Sequence, residues 1–330
     1  MKQKSALKKL TGSREFLLAV IVVAMFLAVS AVNPAFFSFS SIHDMMKNNA
    51  VTMICALGML CVMLVGGIDI SIMSTTALAG MSIGMLWKYN HISSTLLTFI
   101  IAGAIGIVCG LLIGLIISRA DVPPIICTMG FMYIYRAMGF LVSHNGEWAG
   151  AAALGDFKNF ATTRWLGMSP VIWIIFVCYV IFFVFMKWLP LGRKIYATGS
   201  NPEAAEVSGI NVRNIKLMVF TIMGFLSGLS GAVYVAVYAS AQPDLMTGGE
   251  MDVIAACVIG GVSMSGGRGT VVGTLFGAII MAMIPKALPL LHIDALWQNT
   301  IKGVLILTVV VVNAVLQRIA DRNALKGREM

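Results

Sequence analysis

The sequence predicts an all-α membrane protein, a polytopic bundle of about ten transmembrane helices. Two observations predict it. Of 330 residues, 59% are hydrophobic and only 11% charged, with a mean hydropathy of +0.92. Soluble domains carry about a quarter charged residues, so this much apolar surface has no water-soluble core to enter. The apolar residues also fall in runs near the ~20 residues that cross a bilayer. The chain reads as one transmembrane domain over 1–330.

The first run, Phe16–Val32, follows Lys2, Lys4, Lys8, Lys9 and Arg14. It is longer than a signal-peptide core and further spans follow it. It therefore reads as an uncleaved helix near 16–33 behind a basic tail, 1–15. Further spans are expected near 42–65, 71–87, 93–117, 123–142, 167–188, 216–238, 251–264, 270–290 and 297–316, with a second tail at 317–330. The span at 251–264 is short and glycine-terminated. Gly106, Gly110 and Gly114, and again Gly269, Gly273 and Gly277, form tandem small-xxx-small runs that let helix backbones approach closely.

Basic residues set orientation, since loops rich in Lys and Arg stay cytoplasmic. With ten spans and the N-terminus inside, the cytoplasmic side receives the N-terminal tail, Arg119, Lys187, Arg193, Lys194, Arg213, Lys216, Arg268 and the C-terminal Arg318, Arg322, Lys326 and Arg328. The other side receives Lys47, Lys88, Lys158, Arg164 and Lys286. Both tails are then cytoplasmic, and the long connection Ser143–Arg164 faces outward with Trp148 and Trp165 as interface anchors. The net charge of +9 concerns this orientation, because no basic segment is interleaved with aromatics as a nucleic-acid binder requires.

One stretch breaks the apolar pattern. Pro190–Lys216 is polar and carries its own helix punctuation. Asn201 followed by Pro202 is a capping residue and a first-position proline. Glu203 and Glu206 suit the positive end of a helix dipole, and Gly209 supplies the stop. The expected helix, Pro202–Ser208, puts Ala204, Val207 and Ser208 on one small smooth face. No GxxxxGK[ST], GxGxxG with an acidic partner, or HExxH occurs, so the chain has no visible nucleotide chemistry or catalysis of its own. A protein without an energy source and with one well-punctuated soluble helix fits docking on a partner; a capped loop is the plainer reading.

Inside the spans, Leu64–Ser71 (LVGGIDIS) and Val258–Ser265 (VIGGVSMS) resemble each other. Paired glycines break membrane helices where a cavity or protein surrounds them. Gly66, Gly67, Asp69, Ser71, Gly260 and Gly261 are therefore candidate pathway or gate residues. For Asp69 two readings stand: an intramembrane functional carboxylate, or a cap on the following helix, with Ser71 as the rival cap. Arg136, in the fifth run, either faces a pathway or snorkels outward. Glu250 and Asp252 suit a helix N-terminus. Gly80–Gly84 matches GxSxG around Ser82, but in a membrane helix rather than a strand–turn–helix elbow. Cys55, Cys61, Cys109, Cys127, Cys178 and Cys257 are scattered singly and read as small buried hydrophobes, with no metal site.

Three strings in order, VGGIDIS (65–71), GRKIYATGSNPEAAEVSGINVRNIK (192–216) and VIGGVSMSGGRGTVVGTLFGA (258–278), resemble the permease subunits of bacterial sugar-importing ATP-binding-cassette transporters. This is the ribose, galactose, xylose and arabinose group, related more distantly to branched-chain amino acid permeases. The resemblance implies that Asn201, Pro202, Glu203, Ala204, Ala205, Glu206 and Gly209 form the coupling helix that docks on the ATPase. It implies a second permease subunit, a cytoplasmic ATPase that uses ATP and magnesium, and an extracytoplasmic sugar-binding protein. This chain itself would bind no cofactor and would reside in the bacterial inner membrane. Two departures are visible: Met73 where the group commonly has glycine, and Met129-Gly130-Phe131 where Leu-Gly-Thr is common. Few charges in the spans suit a neutral polyhydroxy cargo. The competing expectation, an ion-coupled secondary transporter, has only Asp69 and Arg136 as material.

Overall fold

The computed structural model describes residues 14–291, 293–294, 296–308 and 311. The tail residues 1–13 and 317–330, His292 and most of 309–316 lie outside the described residues. Twelve helices follow in order: α1 (Arg14–Val32), α2 (Phe39–Asn48), α3 (Ala50–Leu64), α4 (Ile72–Lys88), α5 (Thr95–Arg119), α6 (Pro124–Val142), α7 (Pro170–Trp188), α8 (Pro190–Ser200), α9 (Pro202–Val207), α10 (Val212–Tyr238), α11 (Gly249–Ile259) and α12 (Val271–Leu290). Residues 297–308 are also helical. Among the described residues, strand-like pairing is limited to the bridges Ala149–Ala241 and Trp165–Met168. The fold is all-α.

Six helices, α1, α5, α6, α7, α10 and α12, are long and apolar enough to cross a membrane, and seven if the bent pair α2–α3 is one span. The expectation of about ten also counted α4, with 17 residues, and α11, with 11, both short of 18, and the helix that begins at 297, which is described only through 308 and at 311. The expected single run 42–65 is bent by 54°. Asn49 sits at the bend, with φ −102° and ψ 14°, and its side-chain amide donates to the Met45 carbonyl at 2.8 Å. The Asn49 backbone N–H reaches the same carbonyl at 3.2 Å, so the side chain adds a second donor to the last turn of α2.

The core is built around α3, all of whose residues are buried. α10 packs against α3, α4 and α5. The helices are apolar on every side, so polarity does not select their inward faces. Size does. On α5, Gly103, Gly106, Gly110 and Gly114 line the contact with α10, while Ile100, Val108, Leu112 and Ile116 are exposed to the lipid side. A Cβ on Gly106 would overlap the Gly224 carbonyl, and one on Gly110 the Phe220 carbonyl. The second predicted run behaves likewise: Gly273 and Gly277 of α12 meet Gly260 and Ala256 of α11 backbone to backbone.

The bundle has two chemically distinct ends. One gathers the close of α5 and the start of α10, through Arg119 with Asn214 at 3.2 Å and Arg213 with Asp121 at 3.8 Å. It also carries α8 and α9. The opposite end joins Lys88 to Glu147 at 2.7 Å, Tyr238 to the Asn48 carbonyl at 3.2 Å and Asn33 to the Leu290 carbonyl at 3.4 Å. There Lys88 holds the Glu147 carboxyl below its ordinary range. Phe157 of the 143–164 connection stacks on Trp87 with centroids 6.0 Å apart, and Trp148 and Trp165 are exposed.

Gly110→Ala is expected to force α5 and α10 apart, at a cost of about 1–3 kcal/mol. Gly130→Ala, on α6 with nothing within 4 Å of a new Cβ, is the matched control. Thermal unfolding in detergent should show a lowered midpoint for the first and none for the second.

Candidate functional site

The polar stretch folds as two short helices joined by a sharp corner. Residues 190–200, expected as loop, form α8, started by Pro190 at its first position. α9 then opens at Asn201, whose side-chain oxygen accepts the Ala204 N–H at 3.0 Å. The helix ends at Val207, one residue short of the expected Ser208, and Gly209 takes φ +81° to turn the chain toward α10. Only Ala205 faces inward. Pro202, Glu203, Ala204 and Glu206 are exposed, and Val207 is 92% exposed. An apolar side chain held out by a capped helix is an unpartnered contact surface. Beside it, Glu206, Gly209, Asn211 and Arg213 border a hollow of about 430 Å³.

The first glycine pair ends α3. Gly66 adopts φ +78°, its N–H reaches the Met63 carbonyl at 2.9 Å, and Gly67 N–H reaches Val62 at 2.9 Å. The second pair ends α11 with the same closure: Gly261 at φ +84°, its N–H 3.0 Å from the Val258 carbonyl, and Val262 N–H 3.0 Å from Cys257. Both are left-handed helix stops. The turning glycine is third in the first octet and fourth in the second, so the two octets do not correspond residue for residue.

Between α3 and α4 the chain is non-helical. Asp69 is buried, and its Oδ1 accepts from Ser71 N–H at 2.8 Å and Ser71 Oγ at 2.6 Å. This is a cap-like turn ahead of α4. Thr128 of α6 fastens the same segment: its Oγ1 accepts from Ile70 N–H at 3.2 Å and lies 3.3 Å from the Ile68 carbonyl. Thr128 is one turn into α6, so the break lies toward the α8–α9 end of the bundle. The sequence reading passed over this threonine. A buried hydroxyl one turn into a span, facing a helix break, is the signal that identifies it.

The island and both breaks meet. Gly267 N–H donates to the Leu64 carbonyl at 2.9 Å. A Cβ on Gly199, near the end of α8, would overlap that same carbonyl, and one on Gly266 would lie 2.9 Å from the Gly199 carbonyl. Tyr196 of α8 donates its hydroxyl to the Gly269 carbonyl at 2.7 Å. The end of α3, the end of α8 and the 263–269 turn therefore touch through backbone atoms. α9 is the next helix after α8, separated from it by Asn201 alone.

Other candidates stand apart from this junction. Arg136 Nη1 donates to the carbonyls of Pro243 at 3.2 Å and Leu245 at 2.9 Å, toward the opposite end. Asp252 pairs with Lys302 at 2.7 Å, with side chains 28% and 12% exposed; the sequence reading gave Asp252 only the helix dipole. Ser82 donates to the Leu78 carbonyl at 2.7 Å inside α4, which is not the strand–turn–helix setting of a hydrolase nucleophile. Five cysteines are buried and Cys178 is half-buried.

The sequence profile of the family described as the branched-chain amino acid transport system permease component matches residues 41–310. The chain belongs to this permease family. It is 35% identical over 306 residues to a ribose import permease protein of Haemophilus influenzae, covering 91% of this chain and 92% of the relative. A ribose import permease protein of Bacillus subtilis is 33% identical over 290 residues, covering 86% and 88%. An autoinducer 2 import system permease protein of Salmonella typhi is 31% identical over 323 residues, covering 96% and 90%. No solved structure matches the chain. In this permease Met73, the departure noted above, is fully buried, and its side chain would lie 3.5 Å from a Cβ on Gly249 at the start of α11. It fills space between α4 and α11.

Thr128→Val keeps the shape and removes the hydroxyl that holds Ile70 and Ile68. Leaving that backbone unpaired should cost about 1–3 kcal/mol. The expected result is a lowered unfolding midpoint together with faster proteolysis between α3 and α4.

Proposed function

We propose that this chain is the membrane-spanning permease subunit of an ATP-driven, binding-protein-dependent importer of a sugar or sugar-like neutral solute. The observation that carries the reading is α9, a capped helix presented outside the bundle with its apolar and acidic side chains exposed, in a chain of the permease family. Asn201, Pro202, Glu203, Ala204, Ala205, Glu206 and Gly209 would form the surface that docks on a cytoplasmic ATPase. ATP and magnesium belong to that partner, and this chain is not a catalyst by itself. A second permease subunit and an extracytoplasmic binding protein complete the proposed assembly.

The relatives that match over most of their length, ribose and autoinducer 2 import permeases, favour a neutral polyhydroxy cargo over an amino acid. Ten crossings of the bacterial inner membrane, with both termini cytoplasmic, are part of the proposal. Support comes from where helix ends meet: the ends of α4, α10 and α12 are tied at one end of the bundle, through Lys88 with Glu147, Tyr238 with Asn48 and Asn33 with Leu290, and the end of α5 meets the start of α10 at the other. The α8–α9 end also holds Arg119, Arg193, Lys194, Arg213, Lys216 and Arg268, and the positive-inside rule supports reading it as the cytoplasmic end.

Glu203→Arg with Glu206→Arg reverses the exposed charge of α9 without touching a buried group. Co-purification with the ATPase should fall at least about tenfold, which is ~1.4 kcal/mol of binding, while the unfolding midpoint stays put. Unchanged co-purification and transport would overturn the docking role.

Asp69→Asn separates this reading from an ion-coupled transporter. The asparagine oxygen still accepts from Ser71, so the turn survives without its charge. Uptake is expected to persist in the asparagine variant and to survive collapse of the ion gradients. Loss of uptake with a normally folded protein would favour ion coupling.

A further inference from the structure

Between α10 and α11 the chain does not pass outside the bundle. It runs down alongside α4, as three close approaches show. Ala241 Cβ abuts Gly84; a Cβ on Gly80 would lie 3.5 Å from Leu245; a Cβ on Gly249 would lie 3.5 Å from Met73. These α4 positions are four, eight and fifteen residues in from Lys88. At 1.5 Å per residue the segment spans depths of about 6 to 22 Å below that end. It is not helical over this course. Ala239, Met246 and Gly248 all adopt positive φ, at +48°, +54° and +85°.

Non-helical backbone at this depth has to be satisfied by protein or line an aqueous space. One side is satisfied. Ala241 exchanges backbone hydrogen bonds with Ala149 at 2.9 and 3.1 Å, and Arg136 donates to Pro243 and Leu245. Ala241, Pro243 and Leu245 are buried. The alternate residues are polar and exposed: Gln242, Asp244 and Thr247. Lipid cannot solvate an amide and a carboxylate there. Resting on the permease role proposed above, we propose that Ser240–Glu250 lines the translocation pathway, with Gln242, Asp244 and Thr247 as its hydrogen-bonding surface for a polyhydroxy solute. An amide that donates and accepts, a carboxylate that accepts from hydroxyls, and a threonine hydroxyl match neutral sugar hydroxyls. Arg136 acts here as a positioning residue, holding the segment by its carbonyls.

The test is cysteine accessibility in the permease assembled with its ATPase in proteoliposomes. Gln242→Cys, Asp244→Cys and Thr247→Cys are treated with a charged, membrane-impermeant thiosulfonate, with and without a non-hydrolysable ATP analogue. The exposed, lipid-side Val108→Cys on α5 is the control. Labelling of the three positions is expected at least about tenfold faster than the control, with a rate that changes when nucleotide binds. Arg136→Gln, which removes a carbonyl clamp, should change the labelling rate at Asp244→Cys while that at Val108→Cys stays the same. Labelling no faster than the control would overturn the proposal, as would rates indifferent to nucleotide. A wild-type chain that fails to retain the ATPase would instead count against the docking reading, before any cysteine is introduced.

Discussion

The rest of the structure depends on one constraint: in hydrocarbon, every backbone N–H and C=O must find a partner inside the protein. Helices meet it by themselves. Among the described residues, three non-helical stretches within the bundle, 65–71, 239–248 and 260–270, are each held by other parts of the protein. Thr128 holds the first through Ile68 and Ile70. Arg136 holds the second through Pro243 and Leu245. The third is tied to the first, through Gly267 and Leu64. The polar residues inside the spans are thus few, and several of them serve backbone that is not helical.

Close backbone approach is the complementary device. Lipid tails are as apolar as leucine, so hydrophobicity alone cannot hold α5 to α10. Glycines remove the side chains that would keep the helices apart, and dispersion between closely packed backbones replaces the missing hydrophobic gain. The same device joins α11 to α12 and the end of α8 to the end of α3. It leaves the outward faces free to carry large residues, and makes size the difference between inside and outside.

Much of this was legible in the chain. The apolar runs gave most spans to within a few residues, and Asn201, Pro202 and Gly209 marked the short helix α9. The glycine runs at 106–114 and 269–277 marked the close contacts, though not their partners. What was not legible has a common cause. The bend at Asn49 and the clamps at Thr128 and Arg136 depend on which backbone lies opposite a side chain, and one-dimensional patterning does not carry that. The stretch 239–248 looked like an ordinary connection between spans because its polar residues suit a surface loop. Lys302 hid in an apolar run, and only its proximity to Asp252 explains both charges.

The junction bears on how a helix as short as α9 transmits motion. Six residues span about 9 Å and bury little, so α9 cannot move the bundle through a core of its own. On the docking role proposed for it, displacement has to pass through α8. There Gly199 meets the Leu64 carbonyl and the 266–267 backbone with no side chain between them. Side chains can absorb a displacement by changing rotamer; packed backbone cannot, and protein interiors are poorly compressible. A push on α9 therefore arrives at the end of α3 and at the turn after α11 together. The first leads into the Asp69 break and the second lies at the foot of α11, below the segment that carries Gln242, Asp244 and Thr247. One backbone contact thereby links a soluble surface to two interruptions of the bundle, which explains why glycine stands at 199, 266 and 267.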